Sequence, residues 1–594
     1  MKLNYKRTFL VGFAFFLISV FWQAYDTLVP LMLTNKFGLD QTWSGVIMSL
    51  DNILALFMLP LFGALSDKTN TRFGKRTPFI VIGTVCAIVC FMGLSFADNA
   101  QLKKLGEDNA QLYWSQNYTV ENKEYQSITN NGVDKEYTVK DYAANILYNK
   151  DFADLTEEEK SKTEAWYTGL DYDSYYVYST DAQYKACITH KGEDGKITYT
   201  YADGSELESG ARRINAYSSV VSSAEAKYAK EVSKSNVYLI VIFIIVLLMT
   251  LISMAVFRSP AVALMPDVTV KPLRSKANAI INLMGAAGGI IVLGLGMIFG
   301  TGQVKNQMMS YTYFISAVCG IMAIALVVFV FTVKEKKWNA EMLDRQAELD
   351  TENEAVKPIA DQTTDADSEA QTEQTAKPDG KDIAAAKTKM PKDKLRSMIL
   401  ILASVALWFI GYNAITSKYS VYALNVLHMD YNSTLIIAQA AAIVSYIPVG
   451  IVSSKLGRKK TILIGVAMLT AAFCGAIFIT STSPAWLMTI LFALAGIAWA
   501  TINVNSFPMV VELTTGNDIG KYTGYYYTAS MAAQVVTPIL SGALMDAFGT
   551  MRILFPYAAL FVAASFITML FTKHGDSKPE QPKSKLEMLS GGDD

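Results

Sequence analysis

Residues Gly63 to Pro78 read GALSDKTNTRFGKRTP, and Gly450 to Thr461 read GIVSSKLGRKKT. Each stretch joins two long apolar runs. Each has a glycine, then small residues, then a second glycine followed by a basic cluster. A second pair of segments repeats the relation: ALMPDVTVKPLRSKAN (Ala263 to Asn278) and MVVELTTGNDIGKYTG (Met509 to Gly524). Aligning Asp267 with Glu512 sets Thr269 against Thr514 and Lys276 against Lys521. Two matches at corresponding places point to a duplicated unit.

The unit is six apolar helices. Of the 594 residues, 52% are hydrophobic and 18% charged, against about 25% charged in an average soluble domain. Runs of roughly 20 apolar residues are long enough to cross a hydrocarbon core. Twelve occur, at about 9–33, 43–66, 78–98, 237–257, 277–300, 309–332, 397–422, 432–454, 461–480, 485–509, 522–546 and 553–572. The first is too long for a cleaved leader and carries Asp26 near its end. Mean hydropathy is only +0.25, because two polar segments dilute the spans.

Lys and Arg set the orientation. With both termini in the cytoplasm, the short inner loops and N-terminal tail carry sixteen, counting Arg258 as a loop residue, and the outer ones only Lys36, Lys305 and Arg552. Residues 99–236 then lie outside, between spans 1–3 (1–98) and spans 4–6 (237–332). Helix-like DLTEEEKSKTEAWYTGL and hairpin-like GKITYTYADGSELES predict a small folded α+β domain there. Residues 333–396 are polar and predict a flexible cytoplasmic linker, with EKKWNAEMLDRQAELD a short surface helix. Spans 7–12 (397–572) and a cytoplasmic tail (573–594) complete the chain.

Several classes are excluded. A net charge of −1 argues against nucleic-acid binding. Five cysteines without a CxxC pair and three histidines make no disulfide scaffold, zinc ribbon or histidine-rich metal site. No GxxxxGK[ST], HExxH or nucleophile elbow occurs, so neither direct ATP use nor an enzyme is expected.

The Gly63–Pro78 stretch, through Gly63, Asp67, Lys68, Arg72, Gly74, Lys75, Arg76 and Pro78, resembles the signature of the major facilitator superfamily between its second and third spans. The longer SDKTNTRFGKRTPFI and RSPAVALMPDVT (Arg258 to Thr269) resemble the sucrose-transporter and glycoside–pentoside–hexuronide cation symporter group. The resemblance covers nearly all twelve spans but not residues 99–236. It implies an all-α fold of two pseudo-symmetric six-helix halves, with spans 1, 4, 7 and 10 lining a cavity. One departure stands out. Plant sucrose carriers keep a proton-coupling Asp inside span 4, where this chain has no acid.

Ionisable groups within spans are functional candidates. Asp26 and Asp51 share a depth on spans 1 and 2 and are the candidates for cation coupling. Lys418, near the outer end of span 7, either reaches the surface or pairs with a span 1 carboxylate. For a sugar, aromatic faces and amides select Trp22, Gln23, Tyr25, Trp408, Tyr412, Asn413, Asn503 and Asn505. Asp67, Arg72, Arg76, Asp267, Glu512 and Arg458 are the candidates for cytoplasmic gating ion pairs that hold the outward-open state. The expected protein is a monomeric plasma-membrane symporter. It would import a sugar or glycoside by alternating access on a proton or sodium gradient, with no cofactor, metal or nucleic acid. The alternatives are a carrier for another small solute, including efflux, or a transporter-like receptor using the outer domain.

Overall fold

The computed structural model describes residues 3–108, 143–144, 147–148, 150–168, 175–178, 184–191, 197–201, 204–206, 212–215, 229–230, 232–270, 273–355, 392–481, 483–511, 513 and 519–574. The first half is α1 (Tyr5–Leu31), α2 (Gln41–Lys68), α3 (Thr77–Asp108), α5 (Val237–Val268), α6 (Arg274–Phe299) and α7 (Thr312–Thr332). The second is α9 (Lys392–Tyr422), α10 (Tyr431–Leu456), α11 (Arg458–Ile477), α12 (Ala485–Val511), α13 (Ile519–Ala547) and α14 (Leu554–Leu570). Among the described residues eleven helices are long and apolar enough to cross a membrane. α10 is a twelfth if its 51° bend between Tyr446 and Pro448 is taken as one span. Proline removes an intrahelical hydrogen bond there, which accounts for a sharp kink.

Between α3 and α5 the described residues hold α4 (Glu157–Thr168) and strands β1 (Tyr175–Tyr178), β2 (Tyr184–Lys191), β3 (Ile197–Tyr201) and β4 (Arg212–Asn215). The strands form one antiparallel sheet in the order β3-β2-β1-β4. A capping box starts α4: Thr156 Oγ1 accepts from Glu159 N at 3.3 Å, and Glu159 accepts from Thr156 N at 2.8 Å.

Each half has its own apolar core. Phe21, Phe91, Phe243 and Phe314 belong to one; Trp408, Tyr419, Phe473 and Phe555 belong to the other. Across the halves α2 packs on α13, α6 on α10 and α1 on α9. The α2–α13 crossing is very close. A Cβ on Gly45 would lie 2.0 Å from the Pro538 carbonyl oxygen, so no larger residue fits without moving a helix.

The duplication extends to a second motif, at the end of the bundle that carries the insert. α1 and α9 both close in five-residue π-helical turns, Met32–Lys36 and Ala423–Leu427. Asn35-Lys-Phe-Gly-Leu-Asp40 then matches Asn425-Val-Leu-His-Met-Asp430. Gly38 and His428, at equivalent places, both have positive φ, and Asp40 and Asp430 are the N-cap residues of α2 and α10. The two asparagines meet across the halves: Asn425 donates to Asn35 at 2.8 Å, and Asn35 donates back at 3.4 Å.

One boundary differs from the sequence expectation. α5 runs to Val268, not 257, so Arg258 lies inside a spanning helix and not in a loop. A single charge ends the apolar run in the sequence, yet apolar residues continue on its far side and the charge lies within electrostatic reach of Asp26 and Asp51. The helix expected at the start of the linker is α8 (Glu335–Ala355), which packs on the first half; residues 356–391 lie outside the described ones. The Glu335 carboxylate is buried and caps α3. It accepts from the backbone N–H of Lys75, Arg76 and Thr77 at 2.7–2.8 Å and from the Thr77 hydroxyl at 2.7 Å. Asn339 donates to the Asp267 carbonyl at 2.5 Å, and Arg7 pairs with Glu341 at 2.7 Å. We predict that Glu335→Ala, which strands four donors, destabilises the protein by about 2–3 kcal/mol. A Glu335→Ala variant that unfolds in detergent at the parental temperature contradicts this role.

Candidate functional site

A cavity of about 490 Å³ lies between the two halves. α1 contributes Trp22, Gln23 and Asp26; α6 contributes Asn282; α9 contributes Tyr412 and Thr416; α10 contributes Gln439; and α12 contributes Trp499 and Asn503. Gln439 donates to the Gln23 side chain at 2.5 Å, a direct link across the halves. Tyr412 stacks on Trp499 with ring centres 3.9 Å apart and planes 22° apart. The indole N–H of Trp22 is buried and has no hydrogen-bond partner among the described residues. Flat aromatic faces beside several amides form a surface for a ring that is apolar on its faces and polar at its edge.

A smaller cavity of about 110 Å³ adjoins the first at Asp26 and Thr416. Asp51, Asn52, Asn413, Ser417 and Gln534 also line it. Asn52 donates to Asp51 at 2.8 Å. Arg258 of α5 interacts electrostatically with both Asp26 and Asp51, and its guanidinium lies 5.5 Å from the Trp22 ring centre. Two carboxylates and one guanidinium leave one negative charge unmatched, which a single proton or monovalent cation would neutralise. Among the described residues no group of three or more His, Cys, Asp and Glu is placed to hold a metal ion.

Of the residues singled out from the sequence, Trp22, Gln23, Tyr412 and Asn503 line the main cavity, and Asp26 and Asp51 both line the side cavity. Asn413 lines the side cavity, not the main one. Three other candidates lie on neither wall. Tyr25 is buried against Phe21 in the first core. Trp408 is 1% exposed and packs on Phe409. Asn505 accepts from the Ser453 hydroxyl and donates to the Thr501 carbonyl at 3.0 Å, a polar link within the second half. Helix phase separates these residues from the cavity-lining ones on the same spans. Arg258 and Gln439 were missed. The signal for Gln439 was available: an amide alone in the apolar run TLIIAQAAAIVSYIP.

Three of the gating candidates, Asp67, Arg76 and Asp267, form a cluster within one half. Arg76, nearly buried, binds Asp67 of α2, Asp267 of α5 at 2.8 Å and the Ser66 hydroxyl; Lys75 reaches Asp267 at 3.2 Å. These pairs tie α2, α3 and α5 together and do not bridge the halves. Arg72 is exposed, its guanidinium 4.6 Å from the Phe73 ring centre. Arg458 opens α11, and Glu512 lies outside the described residues.

Contacts between the halves concentrate at the insert end. Asp546 of α13 accepts from Gln41 N at 3.0 Å, Thr42 N at 2.7 Å and the Thr42 hydroxyl, and so caps α2 from the opposite half. Lys418 is fully buried and donates to the Gln41 carbonyl at 2.8 Å, within electrostatic reach of Asp546. It therefore neither reaches the surface nor pairs with a span 1 carboxylate. On the other flank the Tyr431 hydroxyl donates to Thr301 at 2.9 Å.

The sequence profile of the Major Facilitator Superfamily matches residues 232–446 and 431–590, and that of the MFS/sugar transport proteins matches 10–105. The chain belongs to the major facilitator superfamily. This membership agrees with the two-half fold and with transporters rather than enzymes. The chain is 29% identical over 98 residues to the "Uncharacterized symporter YnaJ" of Bacillus subtilis (strain 168), a match covering 16% of this chain and 21% of that one. It is 33% identical over 63 residues to the sucrose transport protein SUC4 of Arabidopsis thaliana, covering 11% and 12%. These matches therefore span about a fifth or less of the relatives' length. The inward open conformation of the xylose transporter XylE from E. coli shares the fold, with a TM-score of 0.52 at 12% identity over 99% of both chains.

Wall and core positions separate by experiment. Trp408→Ala empties a filled core site and is expected to cost about 3–5 kcal/mol of stability, read as a lower unfolding temperature. Asn503→Ala and Gln439→Ala are expected to leave that temperature nearly unchanged and to weaken solute affinity about tenfold. The opposite pattern would mean the wall is misassigned.

Proposed function

We propose that this superfamily member is a cation-coupled sugar or glycoside symporter that works by alternating access. The observation that carries the reading is the aromatic- and amide-lined cavity between the halves, joined through Asp26 to a side cavity holding Asp51 beside Arg258. Trp22, Tyr412 and Trp499 offer faces to a sugar ring; Gln23, Gln439, Asn282 and Asn503 bind its hydroxyls. Asp26 lines both cavities, so a cation taken up there is felt by the solute. Coupling follows when cation and solute bind the same conformation more tightly than either binds the other conformation. The energy source is a proton or sodium gradient, and no cofactor is needed.

The insert end is the outer face in this reading, and α4 and the four-stranded sheet belong to an extracytoplasmic domain between α3 and α5. The Lys- and Arg-rich loops, the linker and both termini face the cytoplasm of a cell whose plasma membrane holds the protein. The contacts at Asn35, Asp546 and Lys418 then form a closed outer gate, and the arrangement is an inward-facing state.

The test is uptake into liposomes under an imposed pH or sodium gradient with a panel of labelled mono- and disaccharides. Gradient-driven accumulation of at least one sugar is expected, and accumulation of none rejects the reading. Asp26→Asn removes the ionisable group shared by the two cavities. It is expected to lower concentrative uptake at least tenfold while sparing equilibrium exchange of solute, the pattern of an uncoupled carrier. Full concentrative uptake by both Asp26→Asn and Asp51→Asn would place coupling elsewhere.

A further inference from the structure

The two halves treat their matching N-cap acids differently. Asp430 caps its own helix, accepting from Asn432 N at 2.8 Å. Asp40, its counterpart, makes no side-chain cap bond to α2. Its carboxylate is taken instead by Lys230, at 2.7 Å, from the returning stem of the insert. The α2 N–H groups of Gln41 and Thr42 are left to Asp546 of the other half.

The insert is built to hold this arrangement. The Lys230 backbone lies directly on Gly38: a Cβ there would stand 2.3 Å from Lys230 N, and Gly38 has φ +62°. Gln101, at the departing stem, donates at 2.9 Å to both the Lys36 carbonyl and the Ser233 hydroxyl. Lys36 itself is fully buried, paired with Asp98 at 2.5 Å and donating to the Met309 carbonyl at 2.8 Å. Both stems therefore grip residues 36–40. That loop is flanked by Asn35 on one side and Gln41 and Thr42 on the other, the residues that bind the second half.

We propose that Lys230 is a positioning residue that latches the gate. By drawing Asp40 away from the α2 N-terminus, it keeps those N–H groups open to Asp546 and favours closure of the insert end. With Lys230 absent, Asp40 is released to cap its own helix, as Asp430 does, and competes with Asp546. A carboxylate at a helix N-terminus is favourable wherever it comes from, so the two acids contend for one site. This gives the insert a mechanical role in the cycle. It rests on the alternating-access reading above for calling the contact a gate.

The test reads gate opening without any solute. In the full-length protein with its five cysteines changed to serine, Ser420→Cys places a thiol on the cavity wall. A membrane-impermeant maleimide is added on the insert side of oriented vesicles, and the labelling rate is measured. Lys230→Ala is expected to raise the rate about 3- to 10-fold, the range of a lost helix cap. Lys230→Arg is expected to keep the parental rate. Asp40→Ala is also expected to keep it, alone or combined with Lys230→Ala, because no rival cap remains. The proposal is overturned if Lys230→Ala labels at the parental rate. It is equally overturned if Asp40→Ala accelerates labelling as much as Lys230→Ala, which would make the pair a simple brace. Failure of sugar uptake with these labelling results intact would reject the sugar reading and leave the latch standing.

Discussion

A charge inside hydrocarbon is too costly to leave unpaired, and much of this architecture follows from how each buried charge is met. Lys36 is met by Asp98 across α1 and α3. Arg258 of α5 lies within electrostatic reach of Asp26 on α1 and Asp51 on α2. Lys418 is met by a carbonyl of α2 and by Asp546 of α13. The first lies within one half, where it stiffens the unit. The second includes Asp26, which lines both cavities. The third reaches across the halves at the insert end, where its hydrogen bond to Gln41 would have to break for the halves to part there. In the proposed transport reading, similar electrostatics serves as frame, site or gate according to where the partners stand.

The duplication supplies two similar halves, and the differences between them carry the specialisation. Both end their first helix in a π-turn and follow it with asparagine, a left-handed residue and an N-cap aspartate. In the second half the aspartate serves its own helix. In the first half the insert takes it, and the cap is supplied from across the interface. π-helical turns often mark functional positions, because an extra residue redirects the side chains that follow. Here the turns bring Asn35 and Asn425 face to face.

All twelve apolar runs are helices in the structure, because length and hydropathy suffice to recognise a spanning helix. Their pairing in two sets of six was legible from Gly63–Pro78 and its counterpart. The site was legible only by residue type. Trp22, Gln23 and Asn503 were picked as polar or aromatic groups within spans, and so were Tyr25, Trp408 and Asn505, which face the cores. Residues a few places apart on a helix point in different directions. A span buried on nearly all sides has too weak an amphipathic pattern to say which direction is the cavity. Arg258 was misjudged for a related reason: a charge that ends an apolar run reads as a loop until its partners on other helices are known.

The sequence by itself determined that the chain is a duplicated protein of eleven or twelve spans, because transfer of apolar segments from water is a local property of each segment. Only the tertiary structure decided which half each ion pair serves. Arg76 and Asp267 hold one half together, whereas Asp546 and Gln41 hold the two halves to each other. That distinction depends on distances between helices remote in the chain, and no local pattern encodes it.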